Sequence, residues 1–334
     1  MNELYMLSME MEVLRECYAR LIADVDFLLA CKSDENKSKC VQILKDVQAR
    51  YNHIMHMKTF SEANEMLAVL KEFRRVIDKK LSVELSQTKS QQGKDKVLKR
   101  LFQNFHEEKH PTAKLVCAQP GAGKSFLIAN LMNNNTAFVN GDEFRYFHPM
   151  AHELASQSPD TFFEDTRAFN GEMIEAMIDE LSDRQIPLVV EGTLRRVEVP
   201  IQTKTLLEKK GYEVTLCVLA VPPTISYLRT LERAVKLQEA GSLPRKTNAE
   251  FQKGIVSNLV SHVDAIYNLH TFSQIEVYKV GRKEADCIYS LKETPTVSPA
   301  LALEKEMERH FTKDEYDQYF DHFIQYVSKE EIER

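Results

Sequence analysis

The chain lacks the usual marks of a secreted, disulfide-stapled or membrane-spanning protein. Its six cysteines form no C-x-x-C pair, and we expect buried free thiols rather than disulfides or a metal site. No stretch approaches the roughly 18 apolar residues of a membrane span. The first residues include an acid and no basic segment, so we expect no signal peptide. These absences predict a cytoplasmic protein without a membrane partner.

An excess of basic charge is also missing. The 44 Lys and Arg residues are outnumbered by 50 Asp and Glu residues, which gives a net charge of −6. This balance argues against a nucleic-acid partner. The chain has 334 residues, of which 43% are hydrophobic and 28% are charged. That length and composition predict about two globular domains with sizeable cores.

Glycine and proline are almost absent from residues 1–85, which read as helical. A polar stretch, 32–39, separates two apolar periodic segments, and a capping box at Thr59–Glu62 starts a third. The inward positions are Leu4, Leu7, Met11, Leu14, Tyr18, Leu21, Val25, Leu28; Cys40, Ile43, Val47, Tyr51, Ile54; and Met66, Leu70, Phe73, Ile77. Residues 1–88 are therefore predicted to form a small all-α three-helix bundle.

After a polar linker at about 86–96, the pattern changes to alternating strands and helices. We place the second domain at 97–334, beginning with a short helix, Val97–Phe105, and ending with helix from Pro299. The strand candidates are Leu115–Ala118, Thr136–Asn140, Pro187–Glu191, Val214–Val221 and Ile275–Val280. Short apolar strands of this kind predict an α/β fold, with a parallel sheet flanked by helices.

The stretch Ala118–Ser125 is the strongest motif in the chain. It follows an apolar strand pattern and opens onto a helical one, which is the context of a phosphate-binding loop. The loop residues are Gln119, Pro120, Gly121, Ala122, Gly123, Lys124 and Ser125. Lys124 would reach the β- and γ-phosphates of ATP, and Ser125 would hold Mg²⁺. A glycine-rich structural turn is the alternative.

Two carboxylates follow predicted strands. Asp142 lies 18 residues after Lys124, and it could be the base that accepts a proton from an attacking hydroxyl, or simply a helix cap. Glu191 ends the third strand and could bind Mg²⁺ through water or a substrate hydroxyl, or lie in a solvated turn. Because ligands of parallel sheets bind where the strands end, both are candidate site residues.

Arg233 and Arg245 flank a segment that contains a glycine and a proline. Such a segment is typical of a kinase lid, whose arginines close over the phosphates and bind them bidentately. From sequence alone, the two could equally be surface arginines.

Taken together, the motifs from about Val97 onward resemble the zeta toxin family of bacterial toxin–antitoxin kinases. The resemblance covers roughly two thirds of the chain. Besides the phosphate-binding loop, it rests on Asn140–Arg145, His148–Pro149, Glu172–Ala176, Val190–Arg195, Val199–Thr203, Gly211–Glu213, Ala220–Pro222, Ser226–Leu228, Leu231–Arg233 and Tyr289–Pro299. The departures are Ala118, in place of the usual first glycine of the loop, and the long N-terminal extension.

The resemblance implies an enzyme that uses ATP to phosphorylate the 3′-hydroxyl of the amino sugar of UDP-N-acetylglucosamine, which blocks peptidoglycan synthesis. It makes Asp142 the catalytic base. Lys124, Arg233 and Arg245 would act on the phosphates. The residues that would line the sugar-nucleotide site are Glu175, Glu191, Thr193 and Arg195.

The extension has the length and three-helix pattern of the separate antitoxin found in this family. We therefore expect a fused, epsilon-antitoxin-like domain that inhibits the kinase in cis. A dimerisation bundle is the alternative, because the apolar seam also suits helix pairing.

Two further function classes remain open at this point. The kinase could use another acceptor: another sugar nucleotide, a free amino sugar, a nicotinamide dinucleotide or a nucleic-acid 5′-hydroxyl. A non-enzymatic, ATP-gated switch is the third class, although it would not need a base such as Asp142.

Overall fold

The computed structural model describes residues 3–30, 37–84, 105–245, 247–281, 284–317 and 319. The predicted linker at 86–96 and nearly all of the helix expected at Val97–Phe105 lie outside these residues, as does Cys31.

Three helices make up the N-terminal region, as predicted: α1 (Glu3–Ala30), α2 (Lys37–Ile54) and α3 (Phe60–Glu84). The predicted inward residues of α2 are all buried, and those of α1 from Leu7 to Leu28 are buried as well. The capping box is present, because the Thr59 N–H donates to Glu62 Oε2 at 3.1 Å and the Glu62 N–H donates to Thr59 Oγ1 at 3.3 Å.

Helix α1 is buried on nearly every side, which its apolar seam alone did not predict. One face packs against α2 and α3, and the opposite face contacts the second domain. That second face carries polar side chains, and Ser8, Arg15 and Glu16 are each at most 5% exposed. Buried polar groups require hydrogen-bond or ion-pair partners. The polar side chains on this face of α1 contact partners in the second domain, at and near the phosphate-binding loop.

The second domain is built on a six-stranded sheet in the order β2-β3-β1-β4-β5-β6. The strands are β1 (Thr112–Cys117), β2 (Ala137–Val139), β3 (Leu188–Gly192), β4 (Glu213–Ala220), β5 (Gln274–Val280) and β6 (Ala285–Ser290). The five predicted strands are confirmed and pair in parallel. The predicted fold class, a parallel sheet flanked by helices, is confirmed over these five strands, and the unpredicted strand β6 adds an antiparallel edge beside β5.

Helices flank the sheet and connect its strands. They are α4 (Lys124–Leu131), α5 (Gly141–Phe144), α6 (Ala151–Gln157), α7 (Phe162–Asp165), α8 (Arg167–Asp183), α9 (Glu198–Lys209), α10 (Pro223–Glu239), α11 (Ala249–Asn268) and α12 (Pro299–Met307). No helix in the described part of the chain is long and apolar enough to cross a membrane.

The cysteines agree with the expectation of free thiols, with one exception to their burial. Cys17, Cys40, Cys117 and Cys217 are free and buried, whereas Cys287 is free and exposed. Cys287 lies on the edge strand β6, where one face of the sheet meets solvent.

The central position of α1 predicts that its core residues dominate the stability of the N-terminal region. Leu21 is 0% exposed, so Leu21→Ala should lower the free energy of unfolding by about 2–5 kcal/mol through lost contacts and a residual cavity. The matched substitution Leu301→Ala, at a side chain 60% exposed on α12, should change it by less than about 0.5 kcal/mol. Urea denaturation of both variants checks this; equal losses would contradict the packing described for α1.

Candidate active site

The phosphate-binding loop leaves the end of β1 and opens α4, as its sequence predicted. Gly121 and Gly123 have φ angles of +73° and +89°, which other residues rarely adopt. A Cβ atom at Gly121 would lie 1.9 Å from the carbonyl oxygen of Ser226. The loop therefore requires glycine there, both for its backbone conformation and for its close approach to α10.

The carbonyl groups of the loop are held from behind by side chains that sequence reasoning missed. Gln252 donates to the Pro120 carbonyl at 3.4 Å, and Arg229 donates to the Ala122 carbonyl at 3.3 Å. The C=O and N–H groups of one peptide unit point in opposite directions. These carbonyl contacts therefore direct the N–H groups of the same peptide units away from Gln252 and Arg229. Arg229 and Gln252 belong to no recognisable motif and come from helices distant in sequence.

Lys124 lies in a setting suited to a phosphate. Its side chain is only 8% exposed, and its Nζ lies 3.4 Å from Glu191 Oε1 and 3.4 Å from the carbonyl oxygens of Ala118 and Gln119. Ser125, next in the chain, is 3% exposed. The positive charge of the Lys124 ammonium and the positive end of the α4 helix dipole therefore lie at the same point.

Asp142 lies just after β2, in the first turn of α5. The helix cap is Asn140, whose side chain accepts from the Asp142 N–H at 3.1 Å, so the alternative of Asp142 as a cap is not borne out. Asp142 forms ion pairs with Arg245 and, at 3.3 Å, with Arg145. Burial raises the pKa of Asp142, but Arg245, Arg145 and Arg233 outweigh burial and lower that pKa to about 2.

Glu191 ends β3 and faces the same space. Burial raises its pKa, although Lys124 opposes that effect. Its Oε2 atom is buried without a hydrogen-bond partner among the described residues. A carboxylate oxygen free to accept, together with the Ser125 hydroxyl, fits the oxygen ligands that Mg²⁺ prefers.

Arg233 and Arg245 are not surface arginines. Their side chains are 6% and 12% exposed, and both face Glu12 of α1, at 2.9 Å and 3.5 Å. Arg245 also lies 3.4 Å from Glu16. Burial raises the pKa of Glu12, but Arg233 and Arg245 outweigh it and lower that pKa overall. Carboxylates of α1 therefore occupy the arginines expected to bind phosphates.

Helix α1 also reaches the start of α4. The Phe126 N–H, in the first turn of α4, donates to Ser8 Oγ at 3.2 Å. Backbone N–H groups at this point of a phosphate-binding loop ordinarily face the nucleotide. Ser8 is 2% exposed, so α1 covers the end of the helix that an anion would approach.

A buried ion pair anchors α1 beside Asp142. Arg15 donates to both oxygens of Glu143, at 2.6 Å and 3.0 Å, and its guanidinium lies 4.6 Å from the ring centroid of Phe138. Tyr51 of α2 donates to Glu143 and accepts from Arg15 at 2.8 Å. Sequence periodicity could not predict these contacts, because they join residues 36 to 128 positions apart.

Two cavities meet at Asp142 and Glu191. The loop cavity, about 830 Å³, is lined by Lys124, Arg233, Arg245 and Glu12, among others. The α8 cavity, about 440 Å³, lies between α8 and the end of β3. Both cavities are lined by Asp142, Glu191, Thr193 and Arg195. A group bound in one cavity would therefore meet a group bound in the other at these carboxylates.

The structure brings together all but one of the predicted site residues. Thr193 and Arg195 line both cavities, and the Arg195 guanidinium lies 5.6 Å from the ring centroid of Phe251. Glu175 is exposed on α8 and is not among the residues that line either cavity, so its role remains a prediction. Sequence reasoning missed Asn170 and Phe251, which line the α8 cavity.

The charge balance around Asp142 can be tested by removing one arginine. The depressed pKa of Asp142 adds stability above the ordinary value of about 3.9, and this stability is lost as the pH falls through about 2. Arg245→Gln should raise the pKa of Asp142, because Arg245 is the charge that lowers this pKa most. A carboxyl ¹³C NMR titration measures the shift. Lys292→Gln, at an exposed pair, is the control; an unchanged pKa after Arg245→Gln would contradict this balance.

Comparisons with known proteins identify the family to which the phosphate-binding loop and its surroundings belong. The family model for Zeta toxin matches residues 94–294. The curated protein Toxin zeta of Streptococcus pyogenes is 35% identical over 216 residues, which cover 64% of this chain and 74% of that protein. Toxin PezT of Streptococcus pneumoniae serotype 4 is 35% identical over 203 residues, which cover 60% of this chain and 79% of that protein.

A solved structure is also similar to this chain. A chain from the PezAT chromosomal toxin–antitoxin system of Streptococcus pneumoniae superposes with a TM-score of 0.61 at 30% identity, covering 70% of this chain and 94% of that one. The family match spans more than half of the chain and contains the phosphate-binding loop, both carboxylates and both lid arginines. The chain therefore belongs to the Zeta toxin family of toxin–antitoxin kinases.

Proposed function

We propose that this kinase transfers the γ-phosphoryl group of ATP to the 3′-hydroxyl of the amino sugar of UDP-N-acetylglucosamine, and so blocks peptidoglycan synthesis. We further propose that its N-terminal bundle inhibits it in cis. The observation that carries the first proposal is the position of Asp142, at the junction of the loop cavity and the α8 cavity.

The loop cavity has the chemistry that ATP requires. Lys124, Arg233 and Arg245 provide fixed positive charge, and the glycine-rich loop provides backbone N–H groups. Mg²⁺, held by Ser125 and Glu191, would neutralise charge on the phosphates. Arginines that neutralise the transferring phosphoryl group are among the largest contributions to catalysis in this class of enzyme.

Asp142 is suited to accept the proton of the acceptor hydroxyl. The acceptor oxygen forms a bond to the γ-phosphorus, the bond to the β–γ bridging oxygen breaks, and the hydroxyl proton passes to the Asp142 carboxylate. While Arg245 is paired with Asp142, the pKa near 2 makes this carboxylate a weak base. Phosphates that draw Arg245 away would raise that pKa and so strengthen the base.

The α8 cavity complements a sugar nucleotide. Acceptor oxygens from Asp142, Glu191 and Asn170 suit the hydroxyl groups of a sugar, and Arg167, Arg195 and Arg196 suit a diphosphate. Other sugar nucleotides and nicotinamide dinucleotides also carry a diphosphate, so these acceptors are the alternative outcomes of the test.

Inhibition in cis rests on what α1 covers. Glu12 pairs with both lid arginines, and Ser8 binds the N–H of Phe126. ATP phosphates and α1 would compete for the same groups. A tethered helix has an effective concentration in the millimolar range, so even a weak interface keeps the site largely closed. The apolar seam of α1 packs on α2 and α3, so it is already covered and would not be free to pair with a second copy.

Loss of the proposed base tests the kinase itself. Asp142→Asn should lower kcat by about 10²- to 10⁴-fold, because general base catalysis contributes that much, and it should leave ATP affinity largely intact. Asp142→Asn is introduced into a full-length variant that shows activity, such as Glu12→Ala, and compared with that variant. Turnover is followed by phosphorus NMR with ATP, Mg²⁺ and UDP-N-acetylglucosamine. Full activity of Asp142→Asn would rule out Asp142 as the catalytic base. If only a different acceptor were phosphorylated, that acceptor would be the substrate instead of UDP-N-acetylglucosamine.

Release of α1 tests inhibition in cis. Glu12→Ala should raise the turnover of the full-length protein by about 10- to 100-fold. Glu12 pairs with Arg233 and Arg245 only while α1 is docked, so its loss destabilises the docked form and leaves the released form unchanged. Removal of residues 1–88 should activate at least as strongly. Glu72→Ala, which removes an exposed pair with Arg75 on α3, is the matched control. Equal turnover by all four proteins would recast the bundle as a docking or dimerisation module.

A further inference from the structure

A buried amide in the α8 cavity has a polar atom that the fold does not use. Asn170 on α8 is only 8% exposed, and its Oδ1 atom is buried without a hydrogen-bond partner among the described residues. Buried carbonyl oxygens in folded proteins are nearly always paired, because an unpaired one costs free energy. The fold bears this cost at a residue that lines the cavity.

The amide lies close to Gly141, the residue before the proposed base. A Cβ atom placed on Gly141, the residue before Asp142, would lie 2.9 Å from Asn170 Nδ2 and 3.2 Å from Asn170 Oδ1. It would also lie 2.5 Å from Cδ1 of Ile174. Gly141 therefore lets α8 approach the backbone at the start of α5, and Asn170 and Asp142 line the same cavity there.

The unpaired carbonyl of Asn170 and the carboxylate of Asp142 line the same cavity. A ligand whose reacting hydroxyl meets Asp142 must offer a second donor to pair with Asn170 Oδ1. The neighbouring hydroxyl and amide groups of an amino sugar provide such donors. The reacting hydroxyl alone could not satisfy both residues.

We propose that Asn170 is a specificity-determining residue, whose side-chain carbonyl accepts a hydrogen bond from a hydroxyl or amide N–H group next to the phosphorylated hydroxyl of the sugar. This inference rests on the proposed function, because it assigns the residue to the sugar part of a UDP-sugar acceptor. It predicts that Asn170 distinguishes UDP-N-acetylglucosamine from UDP, which lacks the sugar.

Calorimetric titration of the full-length protein tests the inference directly. None of the described residues that line the α8 cavity belongs to α1, α2 or α3, so the titration does not depend on releasing the bundle. The ligands are UDP-N-acetylglucosamine and UDP, and the proteins are the wild type, Asn170→Ala and Asn258→Ala. Asn258 is an exposed residue of α11 that donates to the Gly254 carbonyl and serves as the matched control.

Asn170→Ala should weaken the binding of UDP-N-acetylglucosamine about tenfold, the effect of one buried hydrogen bond, and leave the binding of UDP unchanged. Its melting temperature should stay the same or rise, because an unpaired buried atom is removed. A structural role would instead lower the melting temperature and weaken both ligands. Asn170→Leu, similar in size and without polar atoms, should behave in the same way if Asn170→Ala does not fold.

Two results would overturn the inference, and they differ from each other. Equal affinity of the wild type and Asn170→Ala for UDP-N-acetylglucosamine would reject the role of Asn170 and leave the proposed substrate intact. Failure of the wild-type protein to bind UDP-N-acetylglucosamine would reject the proposed substrate, and the role of Asn170 towards its sugar with it.

Discussion

Two buried arginines require anions, and the rest of the site is arranged around that requirement. Arg233 and Arg245 are nearly inaccessible to water, so their charges must be balanced by neighbouring carboxylates. In this structure, Glu12 of α1 and Asp142 of the second domain provide that balance. The ion pairs of α1 with the two arginines and the depressed pKa of Asp142 both follow from this one arrangement of charge.

The proposed inhibition in cis would be an exchange of one set of anions for another. Phosphates would replace the carboxylates of α1 on the same arginines, so the proposed closed and open forms need differ little in free energy. The phosphates of a nucleotide would not replace the Arg15–Glu143 ion pair, because Glu143 is itself an anion and not a group that binds phosphate. In this account, Arg15 adds to the stability of the closed form without taking part in the competition, and so sets how much ATP is needed to open it.

Much of this arrangement could be predicted from sequence, because some of its determinants are local. The phosphate-binding loop is fixed by a strand, glycines and a helix that follow one another, and Asp142 and Glu191 are placed by the ends of neighbouring strands. The edge strand β6 was missed because its residues, Ala285–Ser290, mix polar and apolar types.

Other determinants could not be predicted because they join distant parts of the chain. The contacts of Glu12 and Ser8 depend on how α1 docks, and helical periodicity identifies only the apolar face of α1, not the partner of its polar face. Asn170 carries no motif, and its importance appears only when its unpaired oxygen is found at a residue that lines the same cavity as Asp142.

The central claim is that α1 and the nucleotide phosphates exclude each other. Amide hydrogen exchange of peptides from α1 in the full-length protein, measured with Mg²⁺ at increasing ATP concentration, tests it most directly. We expect exchange in α1 to rise with ATP as the helix leaves Arg233 and Arg245, while exchange in the phosphate-binding loop falls. Protection of α1 that stays constant while the loop becomes protected by ATP would contradict it.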